Sequence, residues 1–125
     1  MANIHRTRSA FTLVEIALVS AIIGLLAALA IPGFIKSRKL AQGRRILNDV
    51  RLMDMAVGQW VMEKGKVEGD EIVTTEAASY LKAAWPDNDV LGNAYSITVV
   101  GPTQVQINAS TKSALDGVGI DWGPY

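Results

Sequence analysis

The residues best placed to do chemistry in this chain lie in one short motif, AFTLVEI at positions 10–16. Its acid, Glu15, stands at the front of a run from Ile16 to Ile35 that contains no Asp, Glu, Lys or Arg. A charge near the centre of a membrane-spanning helix costs about 2.5–3.5 kcal/mol on insertion scales, so such an acid is expected to have a partner. Thr12 and Glu15 also have the spacing of a capping box, in which each side chain accepts the other residue's backbone N–H at a helix start.

One long helix is expected to carry this motif. The twenty residues of the apolar run would span about 30 Å at 1.5 Å per residue, the thickness of a bilayer core. Beyond the run, apolar residues recur at alternating spacings of four and three, which predicts a helix with one apolar face from about Thr12 to about Lys64, where Gly65 is a stop signal. The residues of this stripe are Ile46, Val50, Met53, Val57 and Trp60, widened by Leu47 and Val61.

Three residues weaken the expected helix within its apolar half: Gly24, Pro32 and Gly33. Proline removes one backbone hydrogen bond, and each glycine costs about 1 kcal/mol relative to alanine in a helix interior. Pro32 therefore predicts a kink or a short unwound stretch.

The rest of the chain predicts a small α+β head. A short helix is expected from about Thr75, as N-cap, to Trp85, and Pro86 ends it. A turn-rich loop follows over 86–93. Alternating residues then predict an antiparallel hairpin with one buried face, which should pack on the stripe ending at Trp60, and the tail from Ser110 to Tyr125 is expected to be an irregular surface loop. The buried face would contain Tyr95, Ile97, Val99, Val105, Ile107 and Ala109.

A small residue followed by Phe-Thr-Leu-x-Glu and about twenty apolar residues resembles the start of type IV prepilins and type II secretion pseudopilins. The resemblance is specific over Ala10–Ile35, consistent through about Lys64 and generic beyond. It implies that a prepilin peptidase cuts between Ala10 and Phe11 and methylates the new amino group of Phe11. Ala10 departs from the glycine that the family usually has, which implies slower processing.

The resemblance also implies an assembly role. Glu15 would meet the Phe11 amine of a neighbouring subunit and so set the register of a filament, and the helix would melt between Gly24 and Pro32. The implied partners are further copies of the chain, the prepilin peptidase, an inner-membrane assembly platform, minor pilins or pseudopilins, and membrane lipid. The expected regions are a basic leader (1–10, removed), a transmembrane or filament-core helix (11–35), an amphipathic helix half (36–64) and a globular head (65–125).

The expected location is the inner membrane, with a single span and the head outside the cytoplasm, followed by a periplasmic pseudopilus or a cell-surface filament. The compact head and the lack of a disulfide-bounded loop favour the pseudopilus over the surface pilus. Charge counting opposes this orientation, because the basic residues from Lys36 to Arg45 outnumber those before the span.

Two other interpretations of the amino-terminal region stay open. Ala28-Leu29-Ala30 fits a signal-peptidase rule, and a cut after Ala30 would release a soluble domain that starts at Ile31. The capping box alone would explain Glu15 as local helix-start chemistry. An uncleaved single-span anchor is a further alternative.

Composition argues against other functions. The chain has no cysteine, so disulfides and thiolate metal sites are excluded, and no nucleophile motif or phosphate-binding loop suggests an enzyme. No cofactor is expected; calcium is the alternative, with four aspartates in turn-rich segments but without EF-hand spacing. The basic stretch from Lys36 to Arg45 lacks interleaved aromatics and indicates a membrane-proximal belt rather than a nucleic-acid site. The four aspartates are Asp87, Asp89, Asp116 and Asp121.

Overall fold

The computed structural model describes residues 10–125, so the first nine residues of the predicted leader lie outside the described part. The protein is α+β, with a long N-terminal helix packed on a small two-stranded antiparallel sheet, as the sequence predicts. Its elements in chain order are α1 (Leu13–Lys64), α2 (Thr74–Ala77), a 3₁₀ turn (Ala78–Tyr80), β1 (Ser96–Ile97), β2 (Val105–Gln106) and α3 (Ala109–Ala114).

Helix α1 ends at the predicted stop. Gly65 has a φ of 63°, the left-handed conformation that only glycine adopts at little cost, and the Lys66 N–H donates to the Val61 carbonyl at 3.0 Å. This is the hydrogen bond of a Schellman motif, which satisfies a carbonyl that the helix end would otherwise leave without a partner.

The helix is continuous through Gly24, Pro32 and Gly33. The described chain therefore has no unwound stretch at Pro32, because loss of one backbone hydrogen bond is not enough to end a helix with about twenty residues on one side and thirty on the other. Melting between Gly24 and Pro32 stays a prediction for an assembled form.

The chain divides into two compact units, the first ending at Ile35 and the second covering Lys36–Tyr125. In the first unit, every large apolar side chain from Phe11 to Ile35 is at least 49% exposed. Within residues 10–125, α1 is long and apolar enough to cross a membrane once, a property that signal sequences and core helices of soluble proteins share.

The core of the second unit lies between the inner face of α1 and the sheet. In the sheet, Ser96 is opposite Gln106 and Ile97 is opposite Val105. The predicted stripe is confirmed: all five of its residues from Ile46 to Trp60 have no exposed surface. The larger of two clusters consists of Ile46, Leu47, Val50, Met53, Tyr95, Val105, Ile107 and Leu115.

A second, smaller cluster surrounds Trp60 near the end of α1. Its indole Nε1 donates to the Glu76 carboxylate at 2.8 Å, and Lys66 Nζ lies 5.5 Å from the centre of its ring. Burial of the indole with its N–H satisfied fixes α2 against α1. The other buried members are Val57, Ile72, Ala77 and Val100.

The predicted helix from Thr75 to Trp85 is wrong in length. It is a single α-helical turn and a 3₁₀ turn, it starts at Thr74, and Val73 rather than Thr75 is its N-cap. Only Ala77 is fully buried here, and Leu81 is already extended, with φ −94° and ψ 126°. So short a helix depends on tertiary packing for its stability, and the segment offers little of it beyond Ala77.

The predicted alternation fails after Ile97. Val99 is 48% exposed, whereas Val100 is buried, because the chain changes its pairing partner at this point. The Val100 N–H donates to the Asp70 carbonyl, and the Val100 carbonyl accepts the Gly69 N–H, both at 2.9 Å. This pairing turns Val100 inward.

The predicted irregular tail is wrong at its start. Asn108 caps α3, with its side-chain oxygen accepting the Ser110 N–H at 2.9 Å, so Ala109 begins a helix instead of continuing the buried strand face. Farther on, Ile120 packs so closely on Gly43 of α1 that a Cβ on Gly43 would lie 2.2 Å from Ile120 Cδ1. The tail is therefore part of the core.

Candidate processing and assembly site

The capping box predicted at the start of α1 is present. The Thr12 N–H donates to Glu15 Oε2 at 3.1 Å, and the Glu15 N–H donates to Thr12 Oγ1 at 3.2 Å. The two bonds satisfy N–H groups that a helix start leaves without intrahelical partners. Because a carboxylate offers about four acceptor positions, this contact leaves Glu15 with capacity for a cation from outside the helix.

Phe11 lies immediately before the box and is 84% exposed. It lines a shallow groove on the helix surface with Glu15, Ile16, Val19 and Ser20. Phe11 lies two residues before the first residue of α1, and Glu15 and Val19, which are four residues apart within the helix, share one of its faces. The structure thus brings the predicted cleavage residue and the predicted assembly acid together on one surface, while Ala10 is exposed beside them.

The surface that follows this site is apolar on all sides. Side chains such as Leu13, Leu29 and Phe34 are exposed by 70% or more. Contiguous exposed apolar surface of this extent is typical of membrane or subunit interfaces rather than of a free soluble helix. The surface is therefore compatible with a single membrane span, a property that it shares with signal sequences.

The four aspartates considered for calcium do not come together. Within residues 10–125 there is no group of three or more His, Cys, Asp or Glu side chains arranged to hold a metal ion. Asp116 accepts the N–H of Gly117 at 2.8 Å, and Asp121 accepts that of Gly123 at 2.9 Å, as aspartates in turns commonly do.

Asp89 is the exception among them because it is buried, and its role here is structural. Its Oδ1 accepts the N–H groups of Leu91 at 2.8 Å and Asn93 at 3.0 Å, and its Oδ2 accepts the Thr111 hydroxyl. The Asn93 amide donates in turn to Thr111 Oγ1 at 2.9 Å. The network joins the 86–93 loop to α3. The sequence does not predict this contact with α3. It does contain the signal for the turn itself, an aspartate in a segment rich in turn residues, where its side chain commonly accepts backbone N–H groups.

Three ionisable groups around the head core have raised pKa values. Burial, with the charges of Asp49 and Asp89 nearby, raises the pKa of the Tyr95 hydroxyl, which has no hydrogen-bond partner within the described residues. Burial also raises the pKa of Asp54, and a hydrogen bond from the Gln104 backbone opposes that shift.

The third group is the Tyr80 hydroxyl. Its hydrogen bond to Glu63 Oε2, at 2.6 Å, raises its pKa. This bond joins the 3₁₀ turn to the last turn of α1. None of the three groups lies near Phe11 in sequence. Burial explains the shifts of Tyr95 and Asp54, and the hydrogen bond to Glu63 explains that of Tyr80.

No protein-family model, no curated protein and no solved structure matches this chain. The features of this chain that bear on its function are the motif at positions 10–16, the geometry of α1 and the different burial of its two halves.

Proposed function

We propose that this protein is a structural subunit of a type IV pilus-like or type II secretion pseudopilus filament. A prepilin peptidase removes the leader before Phe11, and the subunit polymerises through its N-terminal helix. The observation that carries the proposal is the division of α1 into an exposed apolar half and a half whose inner face is fully packed on the head. Such a helix needs lipid before assembly and neighbouring helices afterwards.

The charge pattern around the cleavage point supports this proposal. Cleavage would place an amine on Phe11, four residues before Glu15, and both residues line the same exposed groove. In a dry filament core an unpaired carboxylate is strongly unfavourable, and an amine from an adjacent subunit offsets its desolvation. Subunits would then add only where the two charges meet.

The apolar half of α1 also suggests the order of steps from membrane insertion to assembly. The subunit is held in the inner membrane by its apolar half, with the head outside the cytoplasm, and then passes to an assembly platform and a filament that includes minor subunits. Of the two kinds of filament, a surface pilus and a secretion pseudopilus, the second is favoured because the head is small and has no disulfides. The subunit has no proposed enzymatic activity.

A secreted soluble domain is the second candidate. All the buried residues of the described chain lie at or beyond Gly43, so a cut after Ala30 would leave the complete head core in the released product. The mature chain would begin with Ile31-Pro32, and proline is favoured in the first turn of a helix.

The amino-terminal residue of the mature protein tests both candidates. The full chain is expressed in a host with a prepilin peptidase, the membrane and soluble fractions are separated, and each is analysed by intact-mass and peptide mass spectrometry. A start at Phe11 in the membrane fraction, with or without one added methyl group, is the expected result. A soluble product that starts at Ile31 would replace the filament proposal with the secreted domain.

A host that lacks the peptidase provides the control. There the filament proposal predicts an unprocessed chain that keeps its leader and stays in the membrane. Processing after Ala30 would be unchanged in that host, since signal peptidase is a separate enzyme.

A further inference from the structure

We propose that the basic belt, which consists of Lys36, Arg38, Lys39, Arg44 and Arg45, binds the headgroups of anionic phospholipids. The inference rests on the membrane insertion contained in the proposed function, and it adds the class of lipid that the subunit selects. All five residues belong to α1 within the second unit, and the first of them directly follows the last residue of the apolar run.

The belt is accessible. Four of its side chains are exposed and Lys39 is half-buried, while the neighbouring inner face of the helix is occupied by the head core from Gly43 onward. At 100° per residue, Lys36, Arg38 and Lys39 point in three different directions around the helix axis. The belt therefore presents positive charge around the helix rather than as a single stripe.

The dimensions of the belt fit the polar layer of a membrane. Arg45 lies about 14 Å beyond Lys36 along the helix axis, and Lys39 about 4.5 Å beyond it. One polar layer is about 5–8 Å thick, so the first three residues fit within it, and Arg44 and Arg45 lie within about one Debye length of its outer edge. Side chains of a helix lean towards its N-terminus, which here is the side of the apolar run.

The acidic residues of the head limit the attraction to an anionic membrane surface to the belt. Residues 63–125 contain four Lys and nine Asp or Glu, a net charge of −5, so an anionic surface repels the far part of the chain. Each basic residue close to an anionic surface strengthens binding by about fivefold. The belt is the one part of the described sequence where several such contributions combine.

The test uses the full chain reconstituted into phosphatidylcholine bilayers that contain a trace of spin-labelled lipid, either phosphatidylglycerol or phosphatidylcholine. Lipids in contact with the protein are motionally restricted, and electron paramagnetic resonance gives both their number and the association constant of one lipid relative to the other. The expected constant for phosphatidylglycerol is at least about fivefold above that for phosphatidylcholine. One molar KCl, which shortens the Debye length to about 3 Å, should bring the ratio close to one.

Matched variants assign the selectivity to the belt. Lys36→Gln with Arg38→Gln removes two exposed belt charges and should lower the ratio by at least about fivefold, while Gln preserves helix propensity. Lys64→Gln with Lys82→Gln removes two exposed charges outside the belt and should leave the ratio unchanged.

The same spectra separate the possible failures. Restricted lipid without a preference for phosphatidylglycerol would overturn the belt proposal and leave membrane insertion standing. Absence of restricted lipid would overturn insertion and the belt together. A DNA duplex retained by the proteoliposomes, with both lipids equally restricted, would show that the belt binds nucleic acid instead of lipid.

Discussion

Glu15 has two proposed tasks, a local one within its own helix and one between subunits, and two substitutions separate them. Glu15→Gln keeps the capping box, because a glutamine oxygen can still accept the Thr12 N–H now bonded to Oε2 at 3.1 Å. Thr12→Ala removes the hydroxyl that accepts the Glu15 N–H at 3.2 Å and keeps the charge. The first variant tests the charge and the second tests the cap.

The two substitutions are expected to cost different amounts of free energy. Loss of a Thr cap costs about 1 kcal/mol, a local effect on the first turn of a helix of 52 residues. Removal of one partner from a buried ion pair costs about 3–5 kcal/mol, since the amine of Phe11 would be left without its counter-charge. In subunit affinity this corresponds to a loss between about a hundredfold and several thousandfold.

The assay scores membrane insertion, processing and assembly for each variant. Glu15→Gln should insert, be processed before Phe11 and fail to form filaments, whereas Thr12→Ala should form filaments at nearly the original level. Mass spectrometry of the amino terminus confirms that processing is intact in both, since each substitution lies near the cleavage point. Normal filaments from Glu15→Gln, with assembly lost in Thr12→Ala, would refute the ion-pair register and leave Glu15 with its capping role alone.

Three further predictions concern the head and are measured by urea unfolding of the full chain in detergent. Gly43→Ala should be less stable than the control Gly58→Ala by about 1–3 kcal/mol, because both gain helix propensity but only Gly43 meets a neighbouring side chain; equal stabilities would contradict the packing at that glycine. Asp54→Asn should raise the free energy of unfolding at pH 7 and flatten its pH dependence. Because burial raises the pKa of this carboxyl in the folded state, the group stabilises the fold below pH 3.8, and that stability is lost as the pH rises through the folded-state pKa. An unchanged pH profile would refute this. Thr111→Val should cost about 1–3 kcal/mol by removing a donor to buried Asp89, and a neutral effect would show that the network does not support the fold.

The sequence predicted the parts of the fold that depend on local pattern. The spacing from Ile46 to Trp60 identified the buried face of α1, and Gly65 identified its end, because helical period and C-terminal glycine act within a few residues. The capping box at Thr12 and Glu15 was predictable for the same reason.

The parts that depend on contacts between distant segments could not be predicted. Val100 is buried because its backbone pairs with Gly69 and Asp70, about thirty residues earlier, and a period-two pattern contains no information on that pairing. The alternation of the preceding strand continues as far as Ala109 and so predicts no helix there, although Asn108 is a regular N-cap for α3. At the candidate site the positions of Phe11 and Glu15 are now known, while cleavage and pairing between subunits stay predictions.

The head depends on α1 far more than on its own sheet. Two strands of two residues each are marginal in water, and five of the fully buried side chains come from α1 alone. A cut anywhere before Lys36 therefore leaves the head with all the buried side chains that it uses, whichever peptidase makes it. Processing before Phe11 and processing after Ala30 would yield the same head and differ only in the fate of residues 11–30. Because these residues form an apolar surface that is unfavourable in water, the two proposals differ in which peptidase would act: cleavage before Phe11 would keep that surface for a filament, and cleavage after Ala30 would remove it.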